Sequence, residues 1–436
     1  MSSQITSSCT PQASDRDRFF SSLGADAALW TDFLTLCGFG GRLAGTPSEQ
    51  RAQVWCDARL DDVLPGVSAN GVPTPYAGWT CHAAELFDLR SGAQLQAVPL
   101  LGTASTPEAG VELAVVDVGR GTPDQIRACG GTLRGRAVLV AHEYPFAANT
   151  VHRRVKLAAA QEAGAAAFLI VQPEPGIGPV SGSSGRGGGV GIPAMGISAE
   201  AGAAIRTSGS RVRLRIIGED FPELHTKTLV LDLPGCGPER VVLSAHIDGH
   251  PLAESAIDNA TGVAAVIALA RAAAPFMNRM PRGLTVCIFS AEEWALQGSR
   301  AWIAALEPES RARMRLNLNL DSLAGSTRLT ALTSGFPALG PFLQSAAECG
   351  GQELSVHLPL MPNSDHANFA AAGIPAVRLL AGFNEPESML RLLLTPADTR
   401  ALVQHEDLQN ACRCAGALLW AGLTATSEEI AALART

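Results

Sequence analysis

Several apolar runs end directly in side chains that bind metals or move protons. Val-Val-Leu-Ser-Ala leads into His246-Ile247-Asp248, Thr-Val-Cys-Ile-Phe-Ser-Ala into Glu292-Glu293, and Asn-Leu-Asn-Leu into Asp321-Ser322. Asp258-Asn259 adds another carboxylate-bearing segment in the loop that follows the first run. Carboxylates gathered at one place repel one another and lose solvation unless a cation compensates them. Imidazole with carboxylate oxygen suits zinc, and cobalt or manganese would accept the same set. Asp248, two residues past His246, is placed to accept the ring's other N–H and so fix its tautomer. In the Glu292-Glu293 pair, one carboxylate can bind metal while its neighbour stays free to take a proton from a water held there. Taken singly, each Asp reads as a turn former or a helix cap, and Asp258-Asn259 would cap the helix after it. Their co-occurrence at several strand ends carries the metal reading.

Those residues converge only if the runs are neighbouring strands of one sheet. From Thr226 onward buried-strand runs alternate with helices: strands are expected at 241–245, 284–290, 316–320 and 376–380, with a covering helix over 261–274. Open α/β sheets place their sites at the carboxyl ends of such strands. Upstream, the apolar spacing predicts one helix over 15–37 and a second after Pro47, joined by the tight loop Gly40–Pro47. Between about 100 and 215 the texture changes to short β runs at 111–118, 137–141, 166–171, 192–197 and 212–217, with one helix over 151–164. The Ser/Gly-rich stretch Ser181–Gly189 lacks the Lys-Ser/Thr ending of a phosphate loop and reads as a flexible surface loop.

The chain has 436 residues, of which 47% are hydrophobic and 17% charged. That balance excludes intrinsic disorder and favours two domains. A net charge of −8, with no basic run longer than His152–Lys156, excludes nucleic acid and anionic lipid as partners. The first nine residues lack a positive segment followed by an apolar one, and no run gives about 18 uninterrupted apolar residues, so a cytoplasmic address and no membrane partner are expected. The ten cysteines lack zinc-knuckle spacing and read as mostly reduced, buried thiols. No Gly-x-Ser-x-Gly elbow is present, which argues against serine hydrolysis.

The motifs resemble, in order, those of the M28 metallopeptidases: His246-Ile247-Asp248, Asp258–Gly262, Phe289–Glu293 with Gly298-Ser299, Asn319–Asp321, Ser364-Asp365-His366 with Gly373–Pro375, and Thr395–Thr399. Gly41–Thr46 is similar to that family's start, and 135–140, 163–166 and 192–194 resemble a protease-associated domain. The resemblance implies a mixed-sheet, three-layer α/β catalytic domain formed by 15–99 and 216–436, with a β-rich protease-associated domain inserted at 100–215 that walls the cleft and restricts substrate size. By position it implies a first zinc on His246, Asp258 and Asp321, a second on Asp258 and Glu293 with Asp258 bridging, and Glu292 as general base. It implies hydrolysis of amide bonds, most simply release of an N-terminal residue from a short peptide; a homo-oligomer is compatible with it.

Two positions depart from the family pattern. The final histidine ligand is Leu394 here, which leaves the second site one ligand short; His366 is the first replacement to consider, with Asp365 beside it, then His250, Glu385 or Glu387, while His405 fits a surface helix. If nothing replaces it, the site holds one metal. The tyrosine that many members use to stabilise the oxyanion is also missing, since Tyr76 and Tyr144 are the chain's two tyrosines and neither lies in the catalytic stretch; His357 or the metal would then serve. These departures keep open a hydrolase of a small non-peptide amide or N-acyl amino acid. A binding protein on a retired scaffold is disfavoured, because such a protein has no need of clustered, mutually repelling carboxylates.

Overall fold

The computed structural model describes residues 11–186, 188–209 and 211–435. The opening segment on which the expected cytoplasmic address rests lies outside these. In place of one helix over 15–37 there are two, Ala13–Gly24 and Ala28–Gly38, followed by Pro47–Asp61. The break is local chemistry: the Asp26 carboxylate accepts the Ala28 N–H at 2.9 Å and starts a new helix.

Among the described residues thirteen strands follow: β1 (Asn70–Asp88), β2 (Ala97–Pro99), β3 (Val111–Asp117), β4 (Ala137–Ala141), β5 (Ala167–Val171), β6 (Ala194–Ile197), β7 (Arg211–Leu233), β8 (Arg240–His246), β9 (Gly283–Phe289), β10 (Met314–Leu320), β11 (Leu329–Leu332), β12 (Ser355–His357) and β13 (Ala376–Ala381). The order β12-β11-β13-β10-β8-β9-β7-β3-β4-β5-β6-β2 is continuous, with β1 paired antiparallel to β7. The four strands read from the sequence, β8, β9, β10 and β13, are parallel neighbours, so their carboxyl ends share one rim. β7 and β11 run antiparallel to that set and make the sheet mixed.

Alternation along the strands supplies two buried faces. Val241, Leu243, Ala245, Val286 and Leu318 face the helices Thr261–Ala273 and His405–Thr424. Val242, Cys287 and Phe289 pack on the other side against Trp302 and Phe369. Helix, sheet and helix thus form three layers. The stretch Ala256–Arg279 is long and apolar enough by composition to cross a membrane, yet 89% of its most apolar window is buried inside the fold.

The inserted region holds its own parallel strands β3 to β6 and three helices, Pro123–Ala128, Arg153–Glu162 and Ala199–Ser208, where one was expected. The third is announced only by Ser198, whose hydroxyl caps the Ala201 N–H. The run expected at 212–217 is the first part of the 23-residue β7, which belongs to both cores. Val212, Leu214 and Ile216 pack in the inserted region, while Leu229, Leu231 and Leu233 pack in the catalytic one. Among the described cysteines none is disulfide-bonded; Cys81, Cys236 and Cys349 are exposed, in contrast to the expected burial.

Candidate metal centre

His246 is the last residue of β8, Glu292 and Glu293 follow β9, and Asp321 follows β10 directly. One ligand atom each of His246, Glu292 and Asp321 lies within 4.8 Å of the others, and all three side chains are buried. Asp258 reaches the same point from the loop after β8, with Oδ1 3.2 Å from His246 Nε2; Asp321 Oδ1 stands 3.7 Å from that nitrogen.

The imidazole shows what the site is built to hold. His246 Nδ1 donates to the Asp248 backbone carbonyl at 3.0 Å, which leaves Nε2 with a lone pair aimed at two carboxylates and no hydrogen-bond partner. A lone pair facing carboxylate oxygens in a buried site repels them unless a cation stands between. Burial would lower the His246 pKa, but Glu292, Asp248, Asp258 and Asp321 hold it well above 6.5. Burial, reinforced by neighbouring carboxylates, raises Glu292 and Glu293 well above the usual carboxylate range. Asp321 is lowered instead, against its burial, by Arg378, whose Nη2 lies 3.0 Å from Oδ2. The donor set and the orphaned nitrogen fit a divalent metal of the zinc type.

Asp248 does not act on His246 in the way expected. Its carboxylate accepts the backbone N–H groups of Glu292 and Glu293, each at 3.1 Å, and stands 3.7 Å from Nδ1. The tautomer is set by its carbonyl, and the carboxylate positions the Glu-Glu turn. Asp258 is positioned by Asp398, whose carboxylate accepts the N–H groups of Ile257 and Asp258. Asn259 ties this loop to β10 through the Leu320 carbonyl. Arg42, fully buried, donates to the carbonyls of Ile247, Glu254 and Ser255 and so holds both loop ends. Gly41 allows that approach, since a Cβ there would meet the His250 carbonyl oxygen at 2.3 Å.

Of the replacements considered for Leu394, His250 is the one that touches Glu293, with Nε2 2.6 Å from Oε2 and Nδ1 3.1 Å from Ser181 Oγ. His250, Asp258 and Leu394 line one small cavity. His366 is buried with both ring nitrogens unpartnered; burial lowers its pKa to about 3, with Arg378 and then Asp321 as its charged neighbours, and it is not brought against Glu293. Asp365 is buried and raised to about 7 by desolvation. His357 packs its ring on Phe383, 4.7 Å between centroids, on the outermost strand of the catalytic sheet. Glu385 accepts from Ser326 and pairs with Arg328, and His405 opens a helix against Trp30. Both tyrosine hydroxyls are used elsewhere, Tyr76 on the Ala44 carbonyl and Tyr144 on Gly382.

The inserted region supplies side chains that no sequence signal located. Phe146, His152, Arg153, Arg154 and Ser183 line the metal pocket together with Asp258, Glu292, Glu293 and Asp321. The Ser181–Gly189 loop is not a surface loop over its first half: Ser181, Gly182, Ser183 and Ser184 are buried, and the Ser181 N–H donates to the Leu394 carbonyl at 2.7 Å. Gly182 is required by close approach, because a Cβ there would stand 2.0 Å from Arg153 Cζ. Arg153 donates to the Ser183 carbonyl, and Glu293, Glu292 and Asp258 support its charge while burial and then Arg154 lower its pKa to about 10.

A three-layer α/β sheet with histidine and carboxylates at its carboxyl rim defines a metal-dependent hydrolase scaffold, here with an inserted domain that walls the pocket. Residues 228–417 match the model of peptidase family M28, and residues 99–205 match the PA domain. The catalytic region is thus similar to peptidase family M28, and the inserted region to the PA domain. It is similar to aminopeptidase YwaD of Bacillus subtilis, 25% identical over 85% of this chain and 79% of that protein. Its fold is shared with the zinc aminopeptidase BSAP of B. subtilis (TM-score 0.69, 22% identity, 93% and 94% of the two chains covered). A peptidase M28 precursor from Shewanella amazonensis aligns with a TM-score of 0.78 at 19% identity, covering 94% and 96%.

Proposed function

We propose that the protein is a zinc-dependent aminopeptidase that releases N-terminal residues from short peptides. The observation that carries this reading is the orphaned His246 Nε2 facing Asp258 and Asp321, with Glu292 beside it. The similarity to aminopeptidase YwaD supports the choice of substrate end. His246, Asp258 and Asp321 would hold one ion; bound zinc supplies a Lewis acid for the amide carbonyl and an acidified water. Glu292 takes the proton from the attacking water and passes it to the leaving amine. Arg378 holds Asp321 ionised, and Asp248 keeps the Glu292 backbone in place.

For a second ion we assign Asp258, Glu293 and His250, with Ser181 orienting the imidazole from the inserted domain. Elemental analysis after zinc reconstitution should give two equivalents per chain, and His250→Ala should give one. One equivalent in both proteins would remove the second ion. Amino-acid anilides should be cleaved and their N-acylated counterparts not; the reverse order would replace aminopeptidase with N-acyl amidohydrolase. Loss of all metal after desalting would end the metallohydrolase reading.

A further inference from the structure

The metal pocket opens into a much larger cleft of about 1690 Å³ between the inserted domain and the catalytic rim; the two share His152, Arg154, Leu296 and Asn363 among their walls. That volume exceeds the roughly 300–1,000 Å³ of a site for a drug-sized molecule, so the cleft has room for a peptide beyond the scissile bond. Val155, Val190 and Leu360, three of the five large hydrophobic side chains exposed among the described residues, lie on it. They give the cleft an apolar share of its wall.

Its charge is opposite in sign to that of the chain. Five arginines line the cleft, against Glu162 as the single acidic residue there. Arg127 and Arg186 are neutralised by Asp124 and Asp220. Among the described residues Arg134, Arg154 and Arg300 have no carboxylate within ion-pair distance, although the protein carries a net charge of −8. Arg154 stands where the cleft meets the metal pocket, half-buried, with Glu292 and Arg300 as its charged neighbours. Its stem is seated on Gly185, where a Cβ would come within 2.7 Å of Arg154 Cδ. A guanidinium held there without a partner, one step from the general base, matches a carboxylate on the leaving side of the scissile amide.

We propose that Arg154, supported by Arg300, selects peptides that carry a carboxylate immediately after the scissile bond: either the free C-terminus of a dipeptide or an acidic side chain in the second residue. This rests on the aminopeptidase reading above. With the N-terminal residue held constant, kcat/KM is measured for X-Ala, X-Ala-amide, X-Asp-amide, X-Asn-amide and the uncharged X-anilide. A preference of about tenfold for X-Ala over its amide, falling toward one in Arg154→Gln, assigns the subsite to the C-terminal carboxylate. The same collapse in the ratio of X-Asp-amide to X-Asn-amide assigns it to the side chain. Arg300→Gln, an exposed substitution, should lower the same ratio by a smaller factor and serves if Arg154→Gln does not fold. Equal rates on all four amides and peptides in the wild type, or a preference that survives in Arg154→Gln and in Arg300→Gln, overturn the proposal. No cleavage of X-Ala, of any of the peptide amides or of the anilide by the zinc-loaded wild type would instead refute the aminopeptidase reading, so the two failures are distinct.

Discussion

Asp248 and Glu292 divide the work of one turn. The Asp248 carboxylate accepts two buried backbone N–H groups, so Asp248→Ala would leave both unpartnered at a cost of about 2–4 kcal/mol, whereas Asp248→Asn keeps one acceptor oxygen and should cost less. Urea denaturation of the two variants should rank them in that order; equal stabilities would mean that the turn does not depend on this carboxylate. Glu292→Gln keeps the shape of the side chain and removes the proposed base. The expected result is a loss of about 10²–10⁴ in kcat with zinc content preserved. Loss of zinc in step with activity would make Glu292 a ligand instead, a role its place within 4.8 Å of His246 and Asp321 also permits. The ligand types were legible from residue identity alone. The positioning groups Arg42, Asp398, Arg378 and Ser181 were not, because each acts across hundreds or scores of residues on an atom that pattern cannot locate.

At the scale of elements, the parallel strands were legible because burial on both faces makes them continuous apolar runs. Each was expected within about two residues of its observed ends. β1, and the continuation of β7 beyond residue 217, were hidden for the opposite reason. Their faces alternate irregularly between buried and exposed, and Pro73 and Pro75 read as loop, although the pairing runs from Asn70 opposite Val230 to Asp88 opposite Val212. The Ser181–Gly189 segment was misread because small residues serve both a mobile loop and a loop pressed against another surface. Gly182→Ala distinguishes the two: with φ at +126° and Arg153 against it, the new Cβ should displace the guanidinium and cost about 1–3 kcal/mol. Thermal melting should show the loss, together with a lower kcat/KM; an unchanged melting temperature would mean that the loop yields freely.

Across the whole molecule, the inserted domain helps to line the candidate metal pocket. β7 runs through both cores, and the inserted helix Arg153–Glu162 aims its first residues at the metal carboxylates. Its titration should therefore be felt in overall stability. His142, with Arg153 and Lys156 of that helix as charged neighbours, is lowered to about 3 by burial and then by those charges. A histidine depressed when folded binds its proton more readily when unfolded, so its contribution is complete above about pH 6.5 and declines as pH falls toward 3. Melting temperature should fall between pH 7.5 and pH 5, and His142→Gln should flatten that fall. An identical slope in the variant would assign the acid sensitivity to other groups.

By itself the sequence determined the chemistry: which residue types could bind a divalent metal, that they end consecutive buried strands, and that a second texture interrupts the chain. These are local properties, set by side-chain identity and by the burial that apolar runs demand. Tertiary structure decided which histidine stands beside Glu293, which arginines enter the pocket, and which face of the inserted domain walls it. These depend on contacts between segments up to about two hundred residues apart, as between Arg42 and the His246 loop or between Ser181 and His250. The closing of such distances is set by the packing of whole elements, and neither residue spacing nor periodicity carries that information.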